Sequence, residues 1–225
     1  VDYILRVLKK NIVFGMTWGR AMQEFVEQLA KDERLRSLSF QNVKVVPFLG
    51  TPGAIQSDSW NTTTYSNTLA TKVGNLLHCA SYNLSAPMYV EGTKEKELIE
   101  SIDEIAKVLH MAETADIALI GIGSMQDDSS IIKAEIRTKE EYKELVRKGA
   151  VGEIVGRIYD KNGQTVDEDL KRKMVGISLD KIAKIPVRVG MSYGKDKIEA
   201  IKGAIAGGLV NVLVTDVPTA ELLLK

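Results

Sequence analysis

Short loops that combine glycine with a hydroxyl or charged residue are the places where this sequence could bind an anion. The first is the run Gly15-Met-Thr-Trp-Gly-Arg20, which joins a predicted strand to a predicted helix. Glycine lets a ligand approach the backbone closely, Thr17 offers a hydroxyl, and the unpaired N–H groups at a helix N-terminus favour an anion such as phosphate. An ordinary turn, with Thr17 as the helix cap and Trp18 as packing, explains the same residues.

The second loop is Gly121-Ile-Gly-Ser124, which follows a strongly apolar run. It is not a dinucleotide-binding fingerprint, because Gln126 stands where the pattern GxGxxG requires its third glycine. The loop could still offer backbone N–H groups to a ligand. A glycine turn demanded only by backbone geometry is the alternative.

Two further loops carry charge. In Gly194-Lys-Asp-Lys197 a lysine at a helix start opposes the helix dipole, and pairing of Lys197 with a ligand phosphate would account for it. A solvated surface lysine is the alternative. In Gly149-Ala-Val-Gly-Glu153 the carboxylate of Glu153 could accept hydrogen bonds from hydroxyl groups, or could pair with Arg157.

The other reactive residue types lack suitable partners. Neither His78 nor His110 has a cysteine or carboxylate at metal-ligand spacing. His78 and Cys79 are adjacent, and neighbours on a strand point to opposite faces. The pair Asp127-Asp128 is typical of a solvated loop. We therefore expect no catalytic residue, no metal site and no cofactor.

The elements that position these loops alternate along the chain. Apolar runs predict strands, and a 3.6-residue apolar spacing predicts helices. Strands are predicted at residues 11–16, 43–49, 115–121, 187–191 and 210–215, and helices through residues 25–29, 69–76, 98–111, 195–206 and from Thr219. This alternation predicts an α/β fold with a mostly parallel sheet and helices on both faces.

A subregion inserted at residues 139–177 interrupts the alternation. It contains a charged helix and a predicted strand-turn-strand, with strands at residues 155–160 and 173–177 around Asn162-Gly163. In the preceding helix, residues 98–111, the spacing of Ile99, Ile102, Ile105 and Leu109 predicts one buried face.

The composition of the 225 residues limits the class of protein. Lys+Arg and Asp+Glu are both 30, so there is no chain-wide basic field for gripping a phosphate backbone. The longest apolar runs are too short to span a bilayer, and no signal-peptide pattern opens the chain. We expect one cytoplasmic domain over residues 1–225 with no membrane contact.

Runs of residues along nearly the whole chain resemble one known family. They are Phe14-Gly-Met-Thr-Trp-Gly19, Val45-Val46, residues 61–70 with Ser85-Ala-Pro87, residues 115–124, residues 149–153 with Tyr159-Asp160 and Gly163, Val175-Gly-Ile177, residues 194–201, and residues 206–216 with Ala220. In this order they resemble the effector-binding domain of SorC/DeoR-type bacterial transcriptional regulators.

The resemblance implies a Rossmann-like domain similar to sugar-phosphate isomerases and coenzyme A transferases. Such a domain binds a phosphorylated sugar and controls an N-terminal helix-turn-helix that grips an operator. No helix-turn-helix is recognisable here, so we expect operator DNA to be bound by a part outside residues 1–225.

The resemblance also implies roles for residues at matching positions. It assigns one end of the ligand to four residues, Thr17, Trp18, Gly19 and Arg20. Gly123 and Ser124 would border the pocket, Glu153 would accept from sugar hydroxyls, and Lys197 would meet the phosphate.

The sequence departs from the family pattern at three places. Tyr193-Gly194 replaces two glycines, which we expect to narrow the pocket, and Thr215-Asp-Val217 replaces Thr-Asp-Glu. The end of the second strand, Phe48-Leu-Gly50, carries no lysine, so imine capture of an open-chain aldehyde is not available there. The sequence therefore favours noncovalent binding of a sugar phosphate.

Two functions fit these observations. The first is a ligand-gated regulator that is not an enzyme and that self-associates as a dimer or tetramer. The alternative is a sugar-phosphate isomerase or deaminase of the same fold, which would need a poised base beside the substrate carbon. Glu153 is the one pocket carboxylate that the sequence places, and turnover of aldose or ketose phosphates would distinguish the two.

Overall fold

Strands and helices alternate along most of the chain, as the apolar spacing predicts. The computed structural model describes residues 1–38, 40–52, 62–127 and 129–225. The strands are β1 (Val13–Met16), β2 (Lys44–Pro47), β3 (Ala80–Ser81), β4 (Ile117–Gly121), β5 (Gly123–Ser124), β6 (Ala150–Ile154), β7 (Arg157–Asp160), β8 (Val187–Met191) and β9 (Val212–Val214). The helices are α1 (Asp2–Val7), α2 (Arg20–Ala30), α3 (Ser66–Leu77), α4 (Thr93–Glu100), α5 (Asp103–Glu113), α6 (Ser130–Lys133), α7 (Lys139–Arg147), α8 (Glu168–Lys173), α9 (Leu179–Ile182), α10 (Ile198–Ala206) and α11 (Val217–Leu223). Short 3₁₀ turns cover Glu33–Arg36, Thr62–Thr64 and Lys195–Lys197.

Six strands form one sheet, and each pair of neighbours is parallel. Their order is β3-β2-β1-β4-β8-β9. In chain order the first three strands extend from β1 in one direction, and the last three extend from β4 in the other. The strand order therefore reverses between β1 and β4, which creates a topological switch point at their carboxyl ends.

Strand β4 shows why this sheet needs cover on both faces. Its side chains alternate between two apolar clusters, with Ile117 and Leu119 in one and Ala118 and Ile120 in the other. All four are buried. A continuous apolar run is expected of a parallel strand that is covered on both sides, so the predicted fold class is confirmed. Within the described residues, no helix has the length and apolar character needed to cross a bilayer.

The inserted subregion has a different strand pairing from the predicted one. Its two strands, β6 and β7, pair with β5 from outside the subregion in an antiparallel sheet of the order β5-β6-β7, and the tight turn between β6 and β7 is Val155-Gly156. Both turn residues have positive φ, 55° and 69°, as a hairpin turn that matches the strand twist requires. The charged helix is present as α7. The prediction of a strand-turn-strand around Asn162-Gly163 was wrong.

The segment predicted as the second strand of that hairpin, residues 173–177, starts at Lys173, which is the last residue of helix α8. Beyond it, Met174 and Gly176 make only isolated bridges, to Tyr89 and Leu49 respectively. Asn162 does lie in a turn, because the Asp160 carboxylate accepts its N–H at 2.9 Å. The turn therefore ends β7 without joining it to a partner strand of matching length.

The helix predicted over residues 98–111 is divided into α4 and α5. Ile102 is extended, with ψ of 123°, and its side chain is 52% exposed, so it does not belong to the buried face. The hydroxyl of Ser101 donates to the carbonyl of Leu98 at 2.7 Å as α4 ends. Asp103 and Glu104 then begin α5, where acidic side chains favour a new helix N-terminus. Ile105 is buried as predicted.

Candidate functional site

A cleft of about 340 Å³ opens at the carboxyl ends of β1, β4 and β8. This is the topological switch point, the position at which open α/β sheets bind their ligands. The cleft contains seven of the eight residues that the sequence singled out: Trp18, Gly19, Arg20, Gly123, Ser124, Glu153 and Lys197. Loops that are far apart in the chain therefore meet at one edge of the sheet.

Thr17 is the predicted site residue that the structure does not place in the cleft. Its side chain is fully buried, and its hydroxyl oxygen accepts the N–H of Gly121 at 2.9 Å. It is not the cap of α2 either, because Gly19 occupies the N-cap position. The hydroxyl instead joins the ends of two adjacent strands, a long-range contact that neither interpretation of the sequence included.

Gly19 and Arg20 form one wall of the cleft. Gly19 has φ of +108°, which favours glycine, and a Cβ placed on it would meet no atom within 4 Å. Its N–H donates to the carbonyl of Thr64 at 2.9 Å, which fixes the loop before α2. Arg20 is the first residue of α2 and is exposed at the cleft. The wall thus combines a cation with the positive end of a helix dipole.

Glu153 is a buried carboxylate that faces the cleft, with 7% of its surface exposed. It accepts hydrogen bonds from the N–H of Gly156 and from the side chain of Trp18. Burial nevertheless raises the pKa of the Glu153 carboxyl above its usual value. A Cβ at Gly123 would approach one carboxylate oxygen of Glu153 to 2.7 Å, so glycine at that position makes room for the carboxylate.

Arg157 does not take the role of hydrogen-bond partner to Glu153. Its Nη2 donates to the carbonyls of Met174 and Gly176, each at 3.1 Å. The side chain is buried, and burial lowers the pKa of its guanidinium to about 10. Arg157 therefore stabilises the segment that follows α8, and Glu153 remains directed to the cleft.

Lys197 is held against the floor of the cleft. Its Nζ donates to the hydroxyl of Ser124 at 2.8 Å and forms an ion pair with Asp196 at 3.4 Å. The Ser124 hydroxyl donates in turn to Asp196 at 3.1 Å. The side chain of Lys197 is 24% exposed, so most of its surface is covered by the protein. An ammonium has three donors, and this arrangement leaves one available to an anion.

The mouth of the cleft carries further polar residues. The hydroxyl of Tyr193 lies 3.3 and 3.4 Å from the two carboxylate oxygens of Glu24. The negative charge of Glu24 raises the pKa of the Tyr193 phenol. Tyr193 is 53% exposed, and both residues line the cleft. A contact between α2 and the loop after β8 thus spans the mouth.

The sequence analysis missed several lining residues. They are Ala21, Glu24, Ser129, Ser130, Met191 and Ser192, whereas Tyr193 and Asp196 lie in segments that the sequence had already associated with the pocket. Glu24 lies one helical turn after Arg20 on α2, so helical spacing from Arg20 could have indicated it. Ser129 and Ser130 follow a loop rather than a strand of the main sheet, and no sequence pattern pointed to them.

The remaining reactive groups lie apart from the cleft. Cys79 lines a separate groove beside β2, and burial raises the pKa of its thiol to about 11, which disfavours the thiolate. Among the residues that the structure describes, no cluster of three His, Cys, Asp or Glu side chains could hold a metal ion. Of the pair Asp127-Asp128, the second residue lies outside the described part.

Comparison with known proteins agrees with this architecture. A family model described as "Putative sugar-binding domain" matches residues 1–225. The chain belongs to this sugar-binding domain family. It is 30% identical over 222 residues to the sorbitol operon regulator of Klebsiella pneumoniae, covering 98% of this chain and 67% of that protein. It is 32% identical over 226 residues to the transcriptional regulator LsrR of Escherichia coli K12, covering 99% of this chain and 65% of that protein.

Solved structures of this sugar-binding domain family show the same fold. The full-length sorbitol operon regulator SorC from Klebsiella pneumoniae matches with a TM-score of 0.87 and 28% identity, over 100% of this chain and 70% of that one. The chain thus spans about two thirds of the length of these regulators. The resemblance to the effector-binding domain of SorC/DeoR-type regulators is confirmed, and so is the expectation of a sugar-binding domain of such a regulator.

Proposed function

We propose that a phosphorylated sugar binds in the cleft at the switch point and that the chain senses it on behalf of a transcriptional regulator. The observation that carries this proposal is that one cleft has a cationic side, suited to a phosphate, and a carboxylate that suits hydroxyl groups. Lys197 and Ser124 offer an ammonium and a hydroxyl at one side, and the buried carboxylate of Glu153 faces the same space. A ligand with a phosphate and several hydroxyl groups would engage both.

The phosphate end combines fixed charge with helix dipoles. Lys197 is the N-cap residue of α10, and Arg20 begins α2. Both helices direct their N-termini, which carry partial positive charge, toward the cleft. The contacts of Lys197 with Ser124 and Asp196 already order the phosphate end of the cleft, so ligand binding costs little conformational entropy there.

The hydroxyl end depends on a carboxylate that is held in place. Two N–H donors, from Gly156 and the side chain of Trp18, fix the orientation of the Glu153 carboxylate. Its remaining lone pairs can accept hydrogen bonds from sugar hydroxyls. A buried acceptor of this kind discriminates strongly against ligands that lack the hydroxyl, because it would then stay unpaired.

The proposal includes the partners of the whole protein. Residues 1–225 would act as one effector-binding domain in the cytoplasm, as a dimer or tetramer, with operator DNA bound by an N-terminal helix-turn-helix outside them. Sugar phosphate would change operator affinity through a coupling free energy of about 1–3 kcal/mol, the usual range for two linked sites. The ligand must contact the two arrangements of the protein differently for this to occur.

Enzymatic turnover is the less favoured function. An isomerase needs a base that is free to take a proton from the substrate carbon. The Glu153 carboxylate already accepts two hydrogen bonds from the protein, which suits it to fixed recognition. Assays with aldose and ketose phosphates test this, and steady conversion at enzyme-like rates would contradict the regulator proposal.

A thermal-shift screen of the purified domain tests the binding proposal. Phosphorylated sugars are compared with the same sugars lacking phosphate. A ligand at about 100 times its dissociation constant stabilises the protein by about 2.7 kcal/mol, which is readily seen as a raised Tm. If every phosphorylated sugar fails to raise the Tm, or unphosphorylated sugars raise it equally, the proposal that the domain recognises a sugar phosphate fails.

A further inference from the structure

A buried hydroxyl behind the cleft is connected to the cleft's lysine. Thr219 lies in the first turn of α11, is 1% exposed and does not line the cleft. Its hydroxyl oxygen accepts the N–H of Gly194 at 2.8 Å. Its own N–H donates to the capping carboxylate of Asp216 at 2.9 Å, which holds the start of α11 in place. The hydroxyl thus ties the C-terminal helix to the loop that follows β8.

Gly194 is the residue through which this tie reaches the cleft. Its φ of +109° favours glycine, and its carbonyl accepts the N–H of Lys197 at 3.0 Å, which closes the 3₁₀ turn Lys195–Lys197. Both backbone polar groups of Gly194 are therefore engaged, one by Thr219 and one by Lys197. This 3₁₀ turn sets the position from which the side chain of Lys197 reaches the Ser124 hydroxyl.

We propose that Thr219 is a positioning residue that holds the Lys197 ammonium at the phosphate end of the cleft. Without the Thr219 oxygen, the partly buried N–H of Gly194 loses its partner, and the loop rearranges to satisfy this donor. Lys197 and Asp196 belong to that loop and move with it, so the contact of Lys197 with Ser124 is lost. The role in ligand binding rests on the proposed function, but the positioning of Lys197 can be measured without any ligand.

The ligand-free test is the acetylation rate of individual lysines, followed by mass spectrometry on the folded domain. Lys195, exposed in the same turn, is the internal reference. In the wild type we expect Lys197 to react more slowly than Lys195, because its ammonium is paired with Asp196 and its side chain is only 24% exposed. We expect Thr219→Val to raise the Lys197 rate about tenfold toward that of Lys195, and Thr219→Ser to keep the wild-type rate, because serine retains the acceptor. An unchanged Lys197 rate in the folded Thr219→Val protein would overturn the inference.

A second variant separates positioning from general weakening of α11. Ala220→Gly lowers helix stability while the Thr219 hydroxyl remains. We expect a lower Tm for Ala220→Gly and a wild-type rate for Lys197. If Ala220→Gly accelerates acetylation of Lys197 as much as Thr219→Val does, helix fraying accounts for the effect and the inference fails.

Inorganic phosphate is the probe for the link to binding. We expect Thr219→Val to weaken phosphate binding, measured by calorimetry, about as much as Lys197→Ala does, and to add nothing in the Lys197→Ala background. Additive losses would show that Thr219 does not act through Lys197. If phosphate does not bind the wild type while the acetylation rates change as expected, the proposed function fails and the positioning role stands. If phosphate binds and the acetylation rates do not change, the positioning role of Thr219 fails and the proposed function stands.

Discussion

The hydroxyl oxygen of Thr17 accepts the backbone N–H of Gly121 at 2.9 Å, and so joins the ends of β1 and β4 on either side of the switch point. This contact predicts that Thr17 affects stability before it affects binding. Thr17→Val leaves the Gly121 N–H unpaired and should lower the free energy of unfolding by about 1–3 kcal/mol. Urea unfolding measures the loss, and Thr17→Ser, which keeps the oxygen, should restore most of it. A Thr17→Val protein as stable as the wild type would show that the contact is energetically unimportant.

Lys197→Ala should weaken binding of phosphorylated ligands and leave the fold intact. A charge-assisted hydrogen bond contributes about 1.5–3 kcal/mol, so affinity for the best sugar phosphate should fall about tenfold or more. Calorimetric titration measures it. Lys195→Ala is the matched control, because Lys195 belongs to the same turn and does not line the cleft. Equal losses in both variants would point to general electrostatics rather than to contact with Lys197.

Gly19→Val should abolish the Tm rise that a sugar phosphate causes. The space around the Gly19 Cα is open toward the cleft, so a valine side chain would occupy room that the ligand needs. The positive φ makes the substitution strained as well, and Gly149→Val controls for this, since Gly149 has φ of +96°, open space and no contact with the cleft. Both variants should unfold at lower temperature without ligand. Only Gly149→Val should keep the ligand response. A full response in Gly19→Val would exclude the wall at Gly19 from the site and leave the ligand at the side of the cleft that Gly121-Ile-Gly-Ser124 forms.

The buried carboxyl of Glu153 predicts a pH dependence of stability. Because its pKa is raised in the folded protein, the folded state binds the proton more tightly than the unfolded state. The stabilising contribution is present below the unfolded value, about 4.3, and is lost as the pH rises through the folded value. In Glu153→Gln this loss disappears, so the free energy of unfolding of the variant should gain on the wild type across that window.

Urea unfolding at a series of pH values checks this, and Glu24→Gln, an exposed carboxylate at the same cleft, is the control. The slope with pH is the deciding quantity, because the amide also changes the contacts with Gly156 and Trp18 at every pH. Parallel curves for wild type and Glu153→Gln would contradict a raised pKa.

Local sequence patterns predicted five of the six strands of the main sheet, all but the short β3, and seven residues of the cleft. Strand β8 has the predicted bounds, and glycine or charge at strand ends led to Gly19, Ser124 and Lys197. This works because the carboxyl ends of parallel strands share one edge, so residues at those ends converge whatever the loop lengths between them.

The failures arose where long-range contacts decide the structure. The hydroxyl of Thr17 is a local turn candidate by type, but its partner is Gly121, across the switch point. The turn Val155-Gly156 uses positive φ at a β-branched residue, which local preference disfavours, and it is fixed by pairing of β6 with β7 and by the carboxylate of Glu153 on the Gly156 N–H. No pattern in either segment contains that information.

The cleft draws its walls from residues as far apart in the chain as Trp18 and Lys197. A ligand seated there would act as a removable crosslink between the first and last parts of the domain, and any partial opening that separates β1 from β8 would release it. Occupancy would therefore protect the whole domain against proteolysis, well beyond the residues that touch the ligand. A regulator built on this cleft would survive longer in the cell when its sugar is abundant, so the ligand would set how much sensor exists as well as its state.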